Sequence, residues 1–265
     1  MTFPSHYKTV LTDLKDNVLT ITFNRPDKLN AADPVMHDEI IQVLRELEGR
    51  HDIDVVVLTG AGRAFSAGGD IAHNLTVNAD QHRVMHEMSA AKRVVLKLLD
   101  CEQILVCRMN GDAIGFGATL ALFCDIIIAV ETARISDAHL KVGLVTGDGG
   151  AIIWPQLVGY ARAKQYLLTG DMLDAKEAER IGLINFAVPE AEFGPLVDKW
   201  VHRFATGPRK ATKWSKQTIN IGLRQLAHSM IDASMAYEGL SLLSEDLVEG
   251  VKSFQEKRKP KFTGR

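Results

Sequence analysis

His139 and Asp148 stand nine positions apart in Ser136-Asp-Ala-His-Leu-Lys-Val-Gly-Leu-Val-Thr-Gly-Asp148-Gly-Gly, around a glycine-bearing turn. An imidazole titrates near neutrality and serves as a general base. A carboxylate on its other ring nitrogen fixes the tautomer and stabilises the imidazolium. Each residue also has a plainer role: a lone histidine commonly satisfies its nitrogens structurally, and Asp148, just before Gly149-Gly150, is placed to cap a helix running through Ile153. Two glycine-bearing loops add a second kind of chemistry, Gly60-Ala-Gly-Arg-Ala-Phe-Ser-Ala-Gly-Gly-Asp70 and Asn110-Gly-Asp-Ala-Ile-Gly-Phe-Gly-Ala118. Small residues at Ala67, Gly68, Gly69, Gly115 and Gly117 let the backbone approach a ligand and aim N–H groups at it. Neither loop has the GKS or GKT ending of a phosphate loop or a dinucleotide fingerprint, so the pair reads as an anion or oxyanion site. The remaining histidines form no ligand cluster. His82 and His86, four apart, share a solvated helix face, and no metal site is expected.

The segments around these residues follow an α/β pattern. Val10–Leu14 and Val18–Phe23 flank Asp16-Asn17 as two strands joined by a tight turn. Asp33, Pro34 and the helical spacing of Ile40, Ile41, Leu44 and Leu47 up to Gly49 predict a first helix. Asp54–Thr59 is an apolar run too short for a helix, the kind of strand a parallel sheet buries on both faces. His82–Leu99 predicts a long helix, Ile104–Cys107 a strand, Gly117–Phe123 a buried helix and Ile126–Val130 a strand, so strands and helices alternate. The two glycine loops follow the ends of predicted buried strands, where open α/β sheets hold ligands. Beyond Pro189 the strand signal stops. Leu196–Phe204, Ala211–Ile219, Leu226–Leu242 and Asp246–Phe254 predict four helices, and the division is a core over 1–195 and a helical region over 196–265.

Composition narrows the partners. The 265 residues are 46% hydrophobic and 24% charged with a formal charge of −2, which excludes bulk disorder and gives no global basicity for nucleic acid. Cys101, Cys107 and Cys124 are odd in number, lack CxxC spacing and lie in or beside apolar runs. They read as buried free thiols in a reducing compartment. No run of about 18 apolar residues and no leader pattern is present, so a cytoplasmic protein with no membrane partner is expected.

Five motifs in order resemble the crotonase, or enoyl-CoA hydratase/isomerase, superfamily: Asn24-Arg-Pro-Asp-Lys-Leu-Asn-Ala31, Arg63-Ala-Phe-Ser-Ala-Gly-Gly-Asp-Ile71, Asn110-Gly-Asp-Ala-Ile-Gly-Phe-Gly closed by Cys124-Asp-Ile-Ile-Ile-Ala129, Leu168 through Leu183, and Phe254-Gln-Glu-Lys-Arg-Lys259. The resemblance covers nearly the whole chain. It implies a spiral of ββα units with a C-terminal helical oligomerisation region, assembled as a homotrimer or dimer of trimers. It implies an acyl-CoA thioester substrate, with coenzyme A as part of the substrate and no tightly bound cofactor. It also implies an oxyanion hole whose two N–H donors match Ala67 and Phe116, where the Phe116 ring narrows or redirects the pocket. Lys28 and the backbone of Ala67, Gly68, Gly69, Asp70 and Ile71 would lie along the CoA, with Phe254 and Lys257 reaching in from a neighbouring subunit. Asp70 more often supports this loop than reacts.

The departure lies at the acid–base positions. Typical hydratases place two glutamates where this chain has Thr119 and His139, so the family alone does not fix the reaction. The coincidence of His139 with a catalytic position favours its reading as a base paired with Asp148. That pairing is similar to the 6-oxocamphor hydrolase branch, which cleaves C–C bonds in cyclic β-diketones and has a glutamate matching Glu238, here a second acid or base or else a surface carboxylate. The intact Ser66-Ala-Gly-Gly-Asp70 loop favours a thioester. The leading expectation is an acyl-CoA enzyme using an enolate, His139 and Asp148; the alternatives are a retro-Claisen β-diketone hydrolase and a non-catalytic CoA- or RNA-binding protein.

Overall fold

The computed structural model describes residues 2–265. Strands β1 (Val10–Lys15) and β2 (Val18–Phe23) form the expected hairpin. Helix α1 (Pro34–Glu46) starts where Asp33 accepts the Met36 N–H and Pro34 pre-sets the first turn. Then come β3 (Val55–Gly60), α2 (Ile71–Val77), α3 (Gln81–Asp100), β4 (Ile104–Met109), the short β5 (Ala113–Ile114), α4 (Phe116–Leu122), β6 (Ile126–Val130) and β7 (Arg134–Ser136). The chain continues through a 3-10 turn (His139–Val142), α5 (Gly150–Leu167), β8 (Leu173–Asp174), α6 (Ala175–Arg180), β9 (Phe186–Val188), α7 (Glu190–Thr206), α8 (Arg209–Leu242) and α9 (Glu245–Gln255).

The strands make two sheets. One runs β1-β2-β3-β4-β6-β9, antiparallel only at the β1–β2 hairpin and parallel from there on; the other runs β5-β7-β8. Every residue of β3 is buried, as its unbroken apolar run requires for a central strand covered on both faces. The chain therefore winds repeatedly from the large sheet to the small one and back through a helix, a spiral of ββα turns. All three cysteines are buried and free.

The helical region departs from expectation in two respects. It begins at Glu190, so α7 runs through the expected boundary at 195/196. The predicted segments Ala211–Ile219 and Leu226–Leu242 are one 34-residue helix, because Gly222 between them interrupts nothing that packing on α3 and α5 does not restore. α8 is fastened to the core by charge: Lys213 and Arg209 pair with Asp54, and Lys216 with Asp125. α9 lies against the turn that carries His139, with the backbones so close that a Cβ on Gly250 would fall 2.5 Å from the Val142 carbonyl oxygen. Among the described residues no helix is long and apolar enough to cross a membrane.

Candidate active site

The first loop is built on Asn30. Its buried side-chain amide donates to the carbonyls of Ala61 and Ala64 and its Oδ1 accepts from Arg25 N–H, which ties the Asn24–Ala31 motif to the segment after β3. Leu29 and Asn30 both adopt left-handed backbone conformations, and the Leu29 carbonyl then accepts the Ala67 N–H at 2.9 Å. The Ala67 donor expected in the oxyanion hole is therefore already engaged. Two residues on, Gly68 O and Asp70 N both bond Ala32 in a parallel bridge, which turns the intervening Gly69 N–H to the opposite side. That N–H has no acceptor among the described residues. Gly69, rather than Ala67, is the free donor of this loop.

The other expected donor is the Phe116 N–H of the second loop. Phe116 is the first residue of α4, whose first intrahelical bond is Thr119 N–H to Gly115 O, so the Phe116 N–H has no helical acceptor. The loops are packed backbone to backbone. A Cβ on Gly68 would meet the Ile114 carbonyl oxygen at 2.6 Å, and one on Gly117 would meet Ser66 O at 2.5 Å. Glycine is required there by space, and at Gly68 also by φ +93°. The His139 ring borders this junction, its Cε1 3.5 Å from a Cβ built on Gly115.

His139 lies between two carboxylates. Its Nδ1 donates to Asp137 Oδ1 at 2.5 Å, and its Nε2 is 3.3 Å from Asp148 Oδ2. Asp148 Oδ1 accepts the Thr119 hydroxyl at 3.0 Å, and Thr146 donates to Asp137. Burial works against a charged imidazole, but Asp137 and Asp148 outweigh it and hold the His139 pKa well above its ordinary value. Burial likewise opposes ionisation of Asp137, and His139 and Thr146 bring its carboxyl below the usual range. Both carboxylates thus favour the charged ring, where the sequence led one to expect a free histidine base. Asp148 is not a helix cap: α5 is entered through Gly149 with no side-chain cap, because the Asp148 carboxylate is spent on Thr119 and His139.

Glu238 comes to the same cluster from α8. It is 5% exposed, so the surface reading fails, and its Oε2 is the one sealed side-chain polar atom without a partner among the described residues. Burial and then the Asp148 charge push its pKa up to about 8. Both causes favour the protonated acid over the carboxylate. Asp137, His139 and Asp148 also offer ligand atoms within 4.8 Å of one another, but both imidazole nitrogens face carboxylates and neither keeps a lone pair for a cation.

The expected CoA-side residues are more dispersed. Asp70 supports its loop as expected, capping α2 through His73 N–H and pairing with Arg25 at 3.3 Å, while Ile71 opens that helix. Lys28 is exposed in the 3-10 turn Pro26–Lys28, whose Pro26 borders Gly62. Phe254 and Lys257 are exposed at the end of α9, and no hydrogen bond or ion pair among the described residues joins them to the loops. Sequence reasoning missed Asp137 and Thr146, although an Asp-x-His spacing entering a tight turn was a usable signal for the first.

Comparison with known proteins agrees with this architecture. The family model described as enoyl-CoA hydratase/isomerase matches residues 13–265. The 1,2-epoxyphenylacetyl-CoA isomerase of Escherichia coli is 33% identical over 97% of this chain and 98% of its own length. A crotonyl-CoA hydratase of Syntrophomonas wolfei is 32% identical, with 97% and 98% covered. The crystal structure of an enoyl-CoA hydratase from Mycobacterium avium subsp. paratuberculosis superposes with a TM-score of 0.89 at 30% identity, covering 97% of this chain and 99% of that one. With its spiral fold and paired glycine loops, the chain belongs to the enoyl-CoA hydratase/isomerase family and is an enzyme of the crotonase superfamily.

Proposed function

We propose that this enzyme binds an acyl-CoA thioester with its carbonyl oxygen between the Gly69 and Phe116 N–H groups, and that Asp148 moves the proton at the acyl carbons beside the thioester. The observation that carries this reading is the position of the Asp148 carboxylate, hydrogen-bonded to the Thr119 hydroxyl and 3.3 Å from His139 Nε2. Those are the two positions at which the resemblance puts the hydratase glutamates, so one carboxylate arriving from the next turn stands in the space between them. As Asp148 accepts a proton from water or from the α-carbon, electrons flow to the thioester oxygen, and two fixed N–H dipoles stabilise the enolate charge that forms. The imidazolium of His139, held by Asp137, keeps Asp148 oriented and offsets its charge. Protonated Glu238 is the reserve from which a proton returns to the carbanionic carbon.

The choice among water addition, isomerisation and C–C or thioester hydrolysis is tested by incubating the purified enzyme with enoyl-CoA, β-ketoacyl-CoA and cyclic diketone panels and identifying products by mass spectrometry. Conversion of a CoA thioester is expected. Turnover of free diketones with no binding of CoA esters would replace this reading with the retro-Claisen hydrolase.

A further inference from the structure

His37 belongs to none of the roles above, yet it borders the proposed oxyanion donor. It projects from α1 onto the Phe116 ring, with ring centroids 4.5 Å apart and planes inclined by 42°. Its Nδ1 is 3.1 Å from the Asp33 carbonyl oxygen. A carbonyl only accepts, so the proton is on Nδ1 and the lone pair is on Nε2. Burial lowers the His37 pKa despite the backbone bond to Asp33 and the charges of Glu87 and Asp148, which keeps the ring neutral. Nε2 makes no hydrogen bond to any described residue. It is not among the sealed unpartnered atoms either, and the residue retains partial exposure, so this edge opens on a space. The ring's face and Nδ1 are both used by the protein; only an acceptor is left over.

We infer that His37 Nε2 is a specificity-determining hydrogen-bond acceptor in the acyl pocket, selecting acyl groups that carry a hydroxyl. This rests on the thioester reading above. The surrounding charges narrow the class further. Glu87, itself 3.0 Å from His73 Nε2, sets a carboxylate near this wall, which favours a neutral donor and disfavours a carboxylate on the acyl chain. Phe116 contributes the flat surface that holds the imidazole edge-on to the ligand, a use for an aromatic ring at a position where a bare N–H would suffice for the oxyanion.

The test is calorimetric binding of butyryl-CoA, 3-hydroxybutyryl-CoA, 4-hydroxybutyryl-CoA and succinyl-CoA to the wild type, His37→Phe and His37→Gln. One net hydrogen bond corresponds to about a tenfold preference. The wild type should bind at least one hydroxylated ester about tenfold more tightly than butyryl-CoA, and succinyl-CoA less tightly than butyryl-CoA. His37→Phe should lose the preference with butyryl-CoA affinity kept, and His37→Gln, which retains an acceptor, should keep part of it. Equal affinity for butyryl- and both hydroxybutyryl-CoA esters in the wild type, an unchanged preference in a folded His37→Phe, or tighter binding of succinyl-CoA would overturn this inference and leave the thioester reading standing. Failure of every CoA ester to bind would overturn that reading itself.

Discussion

Helix α8 buries an ionisable residue at each end of its contact with the core, and the two are treated in opposite ways. Near its start, Lys216, 6% exposed, has its ammonium 2.7 Å from both the Gln103 carbonyl and Asp125 Oδ2, and Asp125 in turn accepts the Leu105 N–H. About six turns later Glu238, 5% exposed, has an oxygen with no partner and a second carboxylate for a neighbour. The first arrangement is complete, so it fixes where α8 lies and has nothing left to do. The second is short of a proton acceptor or a counter-charge, so its protonation state is free to respond to what happens at Asp148. Burial alone does not mark a site. A buried group whose partners are deficient does.

If that distinction holds, variants at the deficient end should lose rate and variants at the complete end should lose stability. Asp148→Asn keeps the Thr119 bond but can neither take a proton nor offset the His139 charge. Turnover should fall about 1,000-fold with the melting transition little changed, checked by steady-state kinetics beside thermal unfolding. Lys216→Met should do the reverse. It strands Asp125 and the Gln103 carbonyl, at about 3 kcal/mol, the low end for a broken buried pair because Asp125 is partly solvated and keeps Leu105. Urea unfolding measures the loss, and kcat per folded molecule should be unaltered. A slow Lys216→Met enzyme of full stability would abolish the comparison.

How far each end was legible in the sequence follows from the range of the interactions. The β1–β2 hairpin, the Asp33-Pro34 helix start and the fully buried β3 follow from local patterns, and each is found within a residue or two of its expected place. His139, Asp148 and the second glycine loop were visible because motif positions carry them. What the sequence hid is whatever depends on a third residue arriving from elsewhere. Asp148 looked like a cap until Thr119 claimed it, His139 looked like a base until Asp137 took its other nitrogen, and Ala67 looked like a donor until the Leu29 carbonyl occupied it. His37 gave no signal at all, since the Phe116 ring that gives it meaning is 79 positions away.

The Ala67 correction sharpens into a pair of backbone variants. Gly69 lacks a positive φ and a Cβ there has open surroundings, the nearest atom being Asn74 Nδ2 at 4.0 Å. Gly69→Ala should therefore be tolerated, whereas Gly69→Pro removes the N–H and should cost about 100-fold or more in kcat. Ala67→Pro instead breaks the bond to Leu29 and should act first on the stability of the loop, read as a lowered melting temperature. Full activity in a folded Gly69→Pro enzyme would return the donor to Ala67.

A slope rather than a step is the most direct measure of the deficient end. Glu238 has a folded pKa of about 8 against an ordinary 4.5, so between these values the folded protein holds a proton that the unfolded chain releases. Stability from this group is complete below pH 4.5 and is lost as pH rises through about 8, at up to about 1.4 kcal/mol per pH unit inside the window. Glu238→Gln cannot titrate and keeps the volume. Its unfolding free energy should run flatter than that of the wild type between pH 5 and 8, the two curves separating in the variant's favour at the alkaline end. His139 is also raised by its carboxylates and adds a slope of the same sign, but it is present in both proteins and largely cancels in the difference. The same protonation should appear in turnover: the wild-type rate should fall as pH climbs past about 8, and the variant, with no proton to return, should be slow throughout. Parallel stability curves would mean that Glu238 is ionised and matched like Lys216, and α8 would then bury two structural charges rather than one of each kind.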